Sequence, residues 1–335
     1  MRMWHNILIK EKRFMKILDH VKNKGTTVCS RCGKKVDDDM LFCPYCGCEL
    51  KNDDLIVPEE EDNETEGFDA SLFMHESDRK ALKALKAIPG FTPLLKSFMS
   101  IWNERQFRIE NLSGSIRLSE KQMPKYYNVL PPICKKLGIA VPELYLTLDV
   151  VPNAWTSGDT NPFITITSGL IETIPDELIP TVLAHECGHI ACHHVLYQTM
   201  GRMLMDATAL GASFLPLGLG KYLSIPLQMA FYYWMRCSEL SADRAAAYYD
   251  GGSEKLVEMC MRFAGFDKDI PEEASKELFM QQAVEYKEMV DNNKWDKTLE
   301  FLILQSQTHP FVSSRAYECN EWTKTDEFKN LISNQ

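Results

Sequence analysis

Two histidines four residues apart, with a glutamate beside the first, carry the clearest chemistry in this sequence. They are His185, Glu186 and His189, in the run LAHECGHI over 183–190. Residues four apart lie on the same face of an α-helix, so the two imidazoles can bind one metal ion. Glu186 can then reach a metal-bound water rather than the metal itself. The alternative is a pair of hydrogen-bonded histidines in an ordinary helix.

The residues after this motif limit the class of metal site that it can form. A catalytic zinc requires three protein ligands and an open position for water. One class of zinc peptidase has a glycine three residues after the second histidine and a third histidine three residues later. The chain has Cys192 and Val195 at those places, so that class is excluded. His193 and His194 do not fit its geometry either, and we expect them to support the ligands or to lie on the surface.

A pair of acidic residues further along the chain offers the third ligand. Glu239 and Asp243 are again four apart in a helix-forming run, so they share one face. Glu239 can bind the metal while Asp243 accepts a hydrogen bond from the free ring nitrogen of a ligand histidine. The alternative is an acidic pair on a solvated helix face, but alanines and a tyrosine follow this pair rather than charges.

Four cysteines near the N-terminus form a second metal pattern. Each of two Cys-x-x-Cys pairs is followed by a glycine that lets the backbone pass close to the sulfurs. Four thiolates close the coordination sphere of zinc, so we expect this ion to fold a small zinc ribbon and to do no chemistry. The sequence thus predicts two zinc ions, one catalytic and one structural. The predicted ligands of the structural zinc are Cys29, Cys32, Cys43 and Cys46.

Composition describes an ordinary soluble protein. Hydrophobic residues make up 45% of the 335 residues and charged residues 25%. The net charge of -10 argues against a sequence-independent nucleic-acid binder, so no nucleic-acid partner is expected. The N-terminus lacks the apolar stretch of a secretory signal, and most cysteines outside the ribbon lie in apolar or helical segments. Reduced thiols in the cytoplasm are therefore predicted.

The chain divides into four predicted segments. An N-terminal extension covers 1–24, within which Met15 offers an alternative start, and the zinc ribbon covers 25–50. The segment 51–67 is densely acidic and is predicted to be a flexible linker. Globular composition begins at Phe68, so 68–335 is one domain that carries the candidate metal site.

Coarse patterns give this domain an α+β fold that is mostly helical. Helices are predicted from His75 to Pro89, over 94–108, and from Ser119 to Leu137. Strands are predicted over 143–148 and 163–167, with a short extended piece after Val151. A further helix entered at Pro175 carries the histidine motif.

Together these motifs resemble the HtpX-like and CAAX-prenyl-protease-type gluzincin metallopeptidases, over roughly residues 70–320. The motifs that carry the resemblance, in chain order, are Asn153-Ala154, Thr167-Ser168-Gly169-Leu170, His185-Glu186-Cys187-Gly188-His189, Glu239-Leu240-Ser241-Ala242-Asp243, and Thr308-His309-Pro310 followed by Arg315.

This resemblance implies a zincin-like domain with two active-site helices and a small sheet. The implied activity is peptide-bond hydrolysis, with His185, His189 and Glu239 as zinc ligands and Glu186 as general base. It also implies that the segment Asn153–Gly158, which begins with Asn153 and Ala154, is an edge strand against which a peptide substrate binds. His309 and Arg315 match a C-terminal signature of the family, with either a bracing role or a transition-state contact.

Location and partners leave alternatives open. The apolar segment 207–235 is too short for a hairpin of two membrane spans and contains Lys221, so buried helices are favoured and peripheral membrane contact is the alternative. The leading function is a soluble zinc endopeptidase that cuts peptide or protein substrates, with a ribbon that recruits a substrate or a protein partner. The alternatives are an adaptor that acts through the ribbon and a membrane-associated quality-control protease.

Overall fold

The computed structural model describes most of the predicted domain and little of what precedes it. The chain separates into two compact units, Met1–Glu64 and Thr65–Gln335. In the first unit only an antiparallel pair is described, β1 (Thr26–Val28) and β2 (Lys35–Asp37). The described residues of the second unit are 69–101, 104–158, 160–209, 224–265, 274–304 and 310–333.

Several predictions fall outside the described residues. These are the extension, the acidic linker, residues 210–223 of the apolar segment, His309, and the ribbon ligands Cys29, Cys32, Cys43 and Cys46. The division into four segments therefore stays a prediction.

The second unit is mainly helical. Two short 3-10 turns, Ala70–Leu72 and Asp176–Leu178, accompany its α-helices. The described helices are α1 (Glu76–Ala87), α2 (Phe91–Ile101), α3 (Glu104–Gly114), α4 (Pro124–Tyr127), α5 (Leu130–Leu137), α6 (Ser168–Thr173), α7 (Ile179–Ala191), α8 (Val195–Ala209), α9 (Ile225–Asp250), α10 (Glu254–Ala264), α11 (Lys276–Asn292), α12 (Lys294–Leu304), α13 (Val312–Thr323) and α14 (Asp326–Ser333).

One small mixed sheet accompanies these helices. Its strands are β3 (Ile116–Arg117), β4 (Glu143–Thr147), β5 (Ala154–Ser157) and β6 (Phe163–Thr167), in the order β3-β4-β6-β5. β4 and β6 run parallel, whereas β3 and β5 pair antiparallel with their neighbours. Every residue of β6 is buried, as expected for an apolar and β-branched central strand. A mostly helical α+β fold with a small sheet is thus confirmed.

β5 is one of the two edge strands of this sheet, and its register shows which main-chain groups face outward. The Thr167 N–H donates to the Asn153 carbonyl at 3.0 Å, so that pair is hydrogen-bonded. Hydrogen-bonded and non-hydrogen-bonded pairs alternate along an antiparallel ladder. Ala154 and Thr156 therefore point their N–H and C=O groups away from β6, and no described strand pairs with that side.

Two helices form the centre of the unit. α7 is buried along almost its whole length, and the long helix α9 packs against it. α9 ends at Asp250 and is followed by Gly251, whose φ of 76° is the left-handed conformation that favours glycine after a helix. Beside this core, α1 and α2 pack on the first half of α9 through a second apolar cluster that includes Leu85, Phe98 and Trp234.

The structure corrects one helix prediction. The helix predicted from Ser119 to Leu137 is two short helices, α4 and α5. This break has a physical cause, because Pro131 and Pro132 lack N–H groups and are tolerated only in the first turn of a new helix. The described residues of the segment 94–108 are helical, in α2 and α3, and residues 102–103 lie outside the described residues.

No helix among the described residues is long and apolar enough to cross a membrane.

Candidate metal centre

Helix α7 positions the two histidines of the motif. The 3-10 turn with Asp176 and Glu177 leads into α7, and Pro180 stands in its first turn, where a missing N–H costs nothing. From that point the sequence is apolar on nearly every face, which is typical of a helix that runs through a core. His185 and His189 are buried one helical turn apart, with ring centroids 4.9 Å apart.

Glu239 enters the same space from α9. Its Oε2 lies 3.4 Å from His185 Nε2, and its Oε1 lies 3.3 Å from His189 Nε2. The candidate ligand atoms of the three residues all lie within 4.8 Å of one another, and all three side chains are buried. Two imidazole nitrogens that face a buried carboxylate are a donor set that suits zinc. The residues present therefore fit the zinc ion that the sequence predicted.

Asp243 and Arg315 stand behind these donors. Asp243 Oδ1 lies 2.9 Å from His185 Nδ1, so the carboxylate can hold that ring with Nε2 toward Glu239. Arg315 from α13 donates to both oxygens of Asp243, at 2.9 Å from Nε and 2.6 Å from Nη2. Its Nη1 lies 3.7 Å from Glu239 Oε2, and its side chain also lines the cleft. Arg315 thus lies buried against the acidic groups of the site, and whether it supports them or contacts the transition state stays a prediction.

These contacts shift pKa values in opposite directions. Burial would raise the pKa of Asp243, but the neighbouring Arg315 guanidinium holds it below its ordinary value. Burial lowers the pKa of His185, yet its hydrogen bonds to Asp243 and Glu239 outweigh this and raise it to about 9. The pKa of His189 is lowered, mainly by burial. A metal ion that binds His185 must therefore displace a proton from it.

Glu186 is held by a residue that the sequence did not reveal. The hydroxyl of Thr156, on β5, donates to Glu186 Oε2 at 2.6 Å, and both side chains are buried. The same hydroxyl lies 3.3 Å from the Glu186 carbonyl oxygen, so it ties β5 to α7. Nothing in the sequence marks Thr156, because its role depends on how the sheet edge packs against the helix.

A cleft opens beside the donors and exposes the edge strand. Its residues come from β5 and the turn before it, from α7 and α9, and from α10 and the start of α13. They are Pro152, Asn153, Ala154, Val182, His185, Glu186, Glu239, Met259, Phe263, Pro310, Val312 and Arg315. Asn153 and Ala154 thus lie beside Glu186, where the resemblance expected a substrate strand.

One outward-facing main-chain group of β5 is already hydrogen-bonded to a side chain of the protein. The Arg202 guanidinium, from α8, donates to the Thr156 carbonyl, which is one of the outward-facing groups. It also lies 3.4 Å from Ser157 Oγ. Next to the cleft, the main-chain groups of Ala154 face outward.

The two histidines after the motif take different places. His193 is exposed and has a φ of 56° in the turn between α7 and α8. His194 is buried, and its Nδ1 lies 3.1 Å from His189 Nδ1. The sequence predicted that each of these histidines either supports the ligands or lies on the surface. His193 lies on the surface, and His194 lies beside the ligand candidate His189.

Family comparisons agree with the two metal patterns. The model of peptidase family M48 matches residues 128–323, and that of a zinc-ribbon domain matches residues 25–50. The plastoglobule-localized metallopeptidase 48 of Arabidopsis thaliana chloroplasts is 30% identical over 271 residues, 79% of this chain and 76% of that protein. A protease HtpX homolog of Campylobacter concisus is 26% identical over 231 residues, 61% of this chain and 76% of that protein.

A third relative, a protease HtpX homolog of Methylibium petroleiphilum, is 23% identical over 212 residues, 57% of this chain and 74% of that protein. No solved structure matches the chain significantly. The family match covers more than half of the chain, and the HtpX-like resemblance is confirmed. The chain therefore belongs to peptidase family M48, as a zinc metalloprotease that carries a zinc-ribbon domain at its N-terminus.

Proposed function

We propose that this protease is an endopeptidase in which His185, His189 and Glu239 hold the catalytic zinc and Glu186 is the general base. The observation that carries the proposal is the cleft, which brings Glu186 and the buried donor set to the edge strand. A buried carboxylate beside a three-donor site is the arrangement that metal-assisted hydrolysis requires.

Each residue of the site has a distinct part in the reaction. Zinc bound by the three donors would supply Lewis acidity, which lowers the pKa of water and polarises the scissile carbonyl. Glu186 takes a proton from the attacking water and passes it to the amine nitrogen as the C–N bond breaks. Thr156 holds Oε2 of this carboxylate, so Oε1 is the oxygen positioned for proton transfer. Asp243 and Arg315 keep the ligands in place.

The substrate is proposed to bind as an added strand on β5. The outward N–H and C=O of Ala154 can pair with an extended main chain next to Glu186. Because Arg202 already donates a hydrogen bond to the Thr156 carbonyl, the proposed pairing with substrate is centred on Ala154. Recognition through main-chain groups favours extended peptide or unfolded protein substrates over folded ones.

The cellular setting is proposed from two observations. The described cysteines are free thiols, and the sulfurs of Cys134 and Cys187 lie 3.9 Å apart without forming a disulfide bond. Free thiols fit the reducing environment of the cytoplasm. We further propose a role in protein quality control, with the ribbon as the site for a protein partner. The plastoglobule-localized relative keeps peripheral membrane contact as the alternative.

A Glu186→Gln variant tests the proposed base. The amide keeps the size of the side chain but cannot take a proton, so we expect full zinc content and a fall in turnover of about 10²–10⁴-fold. Cleavage of an unfolded protein substrate and elemental analysis of zinc measure the two quantities. Glu177→Gln, an exposed change just before the same helix, is the matched control and should keep wild-type turnover.

Two outcomes would contradict the proposal. A Glu186→Gln enzyme that still turns over at the wild-type rate would exclude Glu186 as the base. A wild-type protein that contains zinc, cleaves no peptide and still binds partners through its ribbon would instead support the adaptor function.

A further inference from the structure

A second chain of buried polar groups leads away from His189, and the peptidase mechanism above does not use it. His189 Nδ1 lies 3.1 Å from His194 Nδ1. On the other side of the His194 ring, Nε2 lies 2.8 Å from Oδ2 of Asp78, on α1. His189, His194 and Asp78 are each at most 2% exposed.

The other partners of Asp78 show that it acts as a charged acceptor. Trp234 Nε1 donates to its Oδ1 at 3.0 Å, and the Ser241 hydroxyl donates to its Oδ2 at 2.6 Å. An indole N–H can only donate, so the carboxylate accepts there. The pKa of Asp78 stays below its ordinary value because His194, Ser241 and Trp234 outweigh the effect of burial, which would raise it.

Proton positions along this chain follow from metal binding at one end. A neutral imidazole carries one N–H and one lone pair. If His189 binds zinc through Nε2, its Nδ1 carries the hydrogen and needs an acceptor. His194 Nδ1 can be that acceptor only when the His194 hydrogen is on Nε2, the ring nitrogen that lies 2.8 Å from Asp78 Oδ2. One set of proton positions is therefore compatible with both close contacts, from Asp78 to His194 and from His194 to His189.

We propose that Asp78 and His194 are positioning residues that hold His189 in the tautomer and ring orientation that zinc requires. This inference rests on the proposed ligand set. It gives the two ligand histidines matching supports, since His185 contacts the carboxylate of Asp243 directly whereas His189 reaches that of Asp78 through His194. Asp78 lies ahead of residues 128–323, so α1 contributes to the zinc site from outside the matched family region.

Gln198 is the competing partner of His189. Its side-chain amide lies 3.1 Å from His189 Nδ1 and 3.1 Å from Ser238 Oγ. The amide NH2 cannot donate to a nitrogen that already carries a hydrogen, whereas the amide oxygen could accept it. A Gln198→Leu variant therefore separates the two supports.

Zinc affinity of the full-length protein tests the proposal without relying on activity. Loss of a group that supports a ligand histidine lowers metal affinity about 10- to 100-fold. We expect this loss in Asp78→Asn and His194→Leu, whereas Gln198→Leu and the exposed Asp176→Asn should match wild type. His194→Gln should recover part of the affinity, because its amide can accept from His189 and donate to Asp78. The measurement is stepwise zinc removal by a competing chelator, with the catalytic ion identified as the one missing from His185→Ala.

The thermal midpoint of each zinc-free variant distinguishes positioning from a merely structural role. Retained affinity in Asp78→Asn and His194→Leu would overturn the proposal, as would a loss seen in Gln198→Leu instead. An equal loss in His194→Gln and His194→Leu, matched by a lowered midpoint, would assign the residues to folding alone. If His185→Ala loses no zinc, the proposed metal centre itself fails, which is a separate result.

Discussion

At the scale of single residues, the contact between Thr156 and Glu186 makes the sharpest prediction. Thr156→Val keeps the shape of the side chain but removes the hydroxyl that holds Glu186 Oε2. A hydrogen bond to a charged group contributes about 1.5–3 kcal/mol, so we expect turnover to fall at least about tenfold. KM and zinc content should change little, because the zinc donors and the main-chain groups of β5 are unchanged. Steady-state kinetics on a peptide substrate gives kcat and KM separately.

The matched control for this change is Thr156→Ser. Serine restores the hydroxyl at the same position and should return turnover close to wild type. A valine variant with unchanged kcat would show that Glu186 needs no such hydrogen bond. A variant with reduced zinc content would show instead that Thr156 acts on the metal ligands.

Whether a residue of the site could be predicted from the sequence depends on how far along the chain its partners lie. His185 and His189, like Glu239 and Asp243, could be predicted because a spacing of four fixes a shared helix face. The contacts between the two pairs span at least fifty residues. The sequence indicated them through the need for a third zinc ligand and through the family resemblance. Thr156, Asp78 and His194 had no such spacing. Their roles depend on packing between elements that no local pattern encodes.

At the scale of elements, the approach of α7 to α9 decides whether the zinc donors can meet. Gly188 lies between the two histidines of α7, and a Cβ built there would be 2.6 Å from Ala245 Cβ and 3.0 Å from Ala242 Cα of α9. Real Cβ atoms do not approach other atoms so closely, so Gly188→Ala must push the helices apart. We expect a loss of about 1–3 kcal/mol in the free energy of unfolding, with weaker zinc binding.

Urea unfolding of the zinc-free protein and chelator competition measure the two effects of Gly188→Ala. Gly114→Ala is the control, because a Cβ at Gly114 would meet no atom within 4 Å. It should match wild type or be slightly more stable. Wild-type stability and zinc affinity in Gly188→Ala would contradict the close approach of the helices.

Patterns in the sequence predicted where helices and strands occur better than they predicted breaks within a helix. The strand Phe163–Thr167 was predicted with its observed bounds, because alternating β-branched and apolar residues leave few other conformations. The helix predicted from Ser119 was wrong in its continuity. Met123 adopts a φ of 56°, which few residues other than glycine take up, and only the folded context stabilises such a conformation.

At the scale of the whole molecule, two metal patterns of different kinds occur on one chain. The zinc-ribbon match covers 25–50 and the peptidase match covers 128–323, so the patterns lie in separate regions. Four thiolates leave no open position on zinc, whereas two histidines and a glutamate do. The first site is therefore expected to stabilise its module and the second to carry out the reaction.

Counting zinc ions tests both sites in one experiment. We expect two zinc per chain in the wild type, one in His185→Ala, and one in Cys43→Ser, by elemental analysis of purified protein. Cys48→Ser is the matched cysteine control and should keep both ions, because Cys48 is outside the predicted ligand set. His185→Ala should abolish cleavage, while Cys43→Ser should keep activity on a short peptide. A single zinc ion in the wild type would show that one of the two predicted sites does not bind zinc. The variant that still contains that ion would then have its substitution in the site that does not bind zinc.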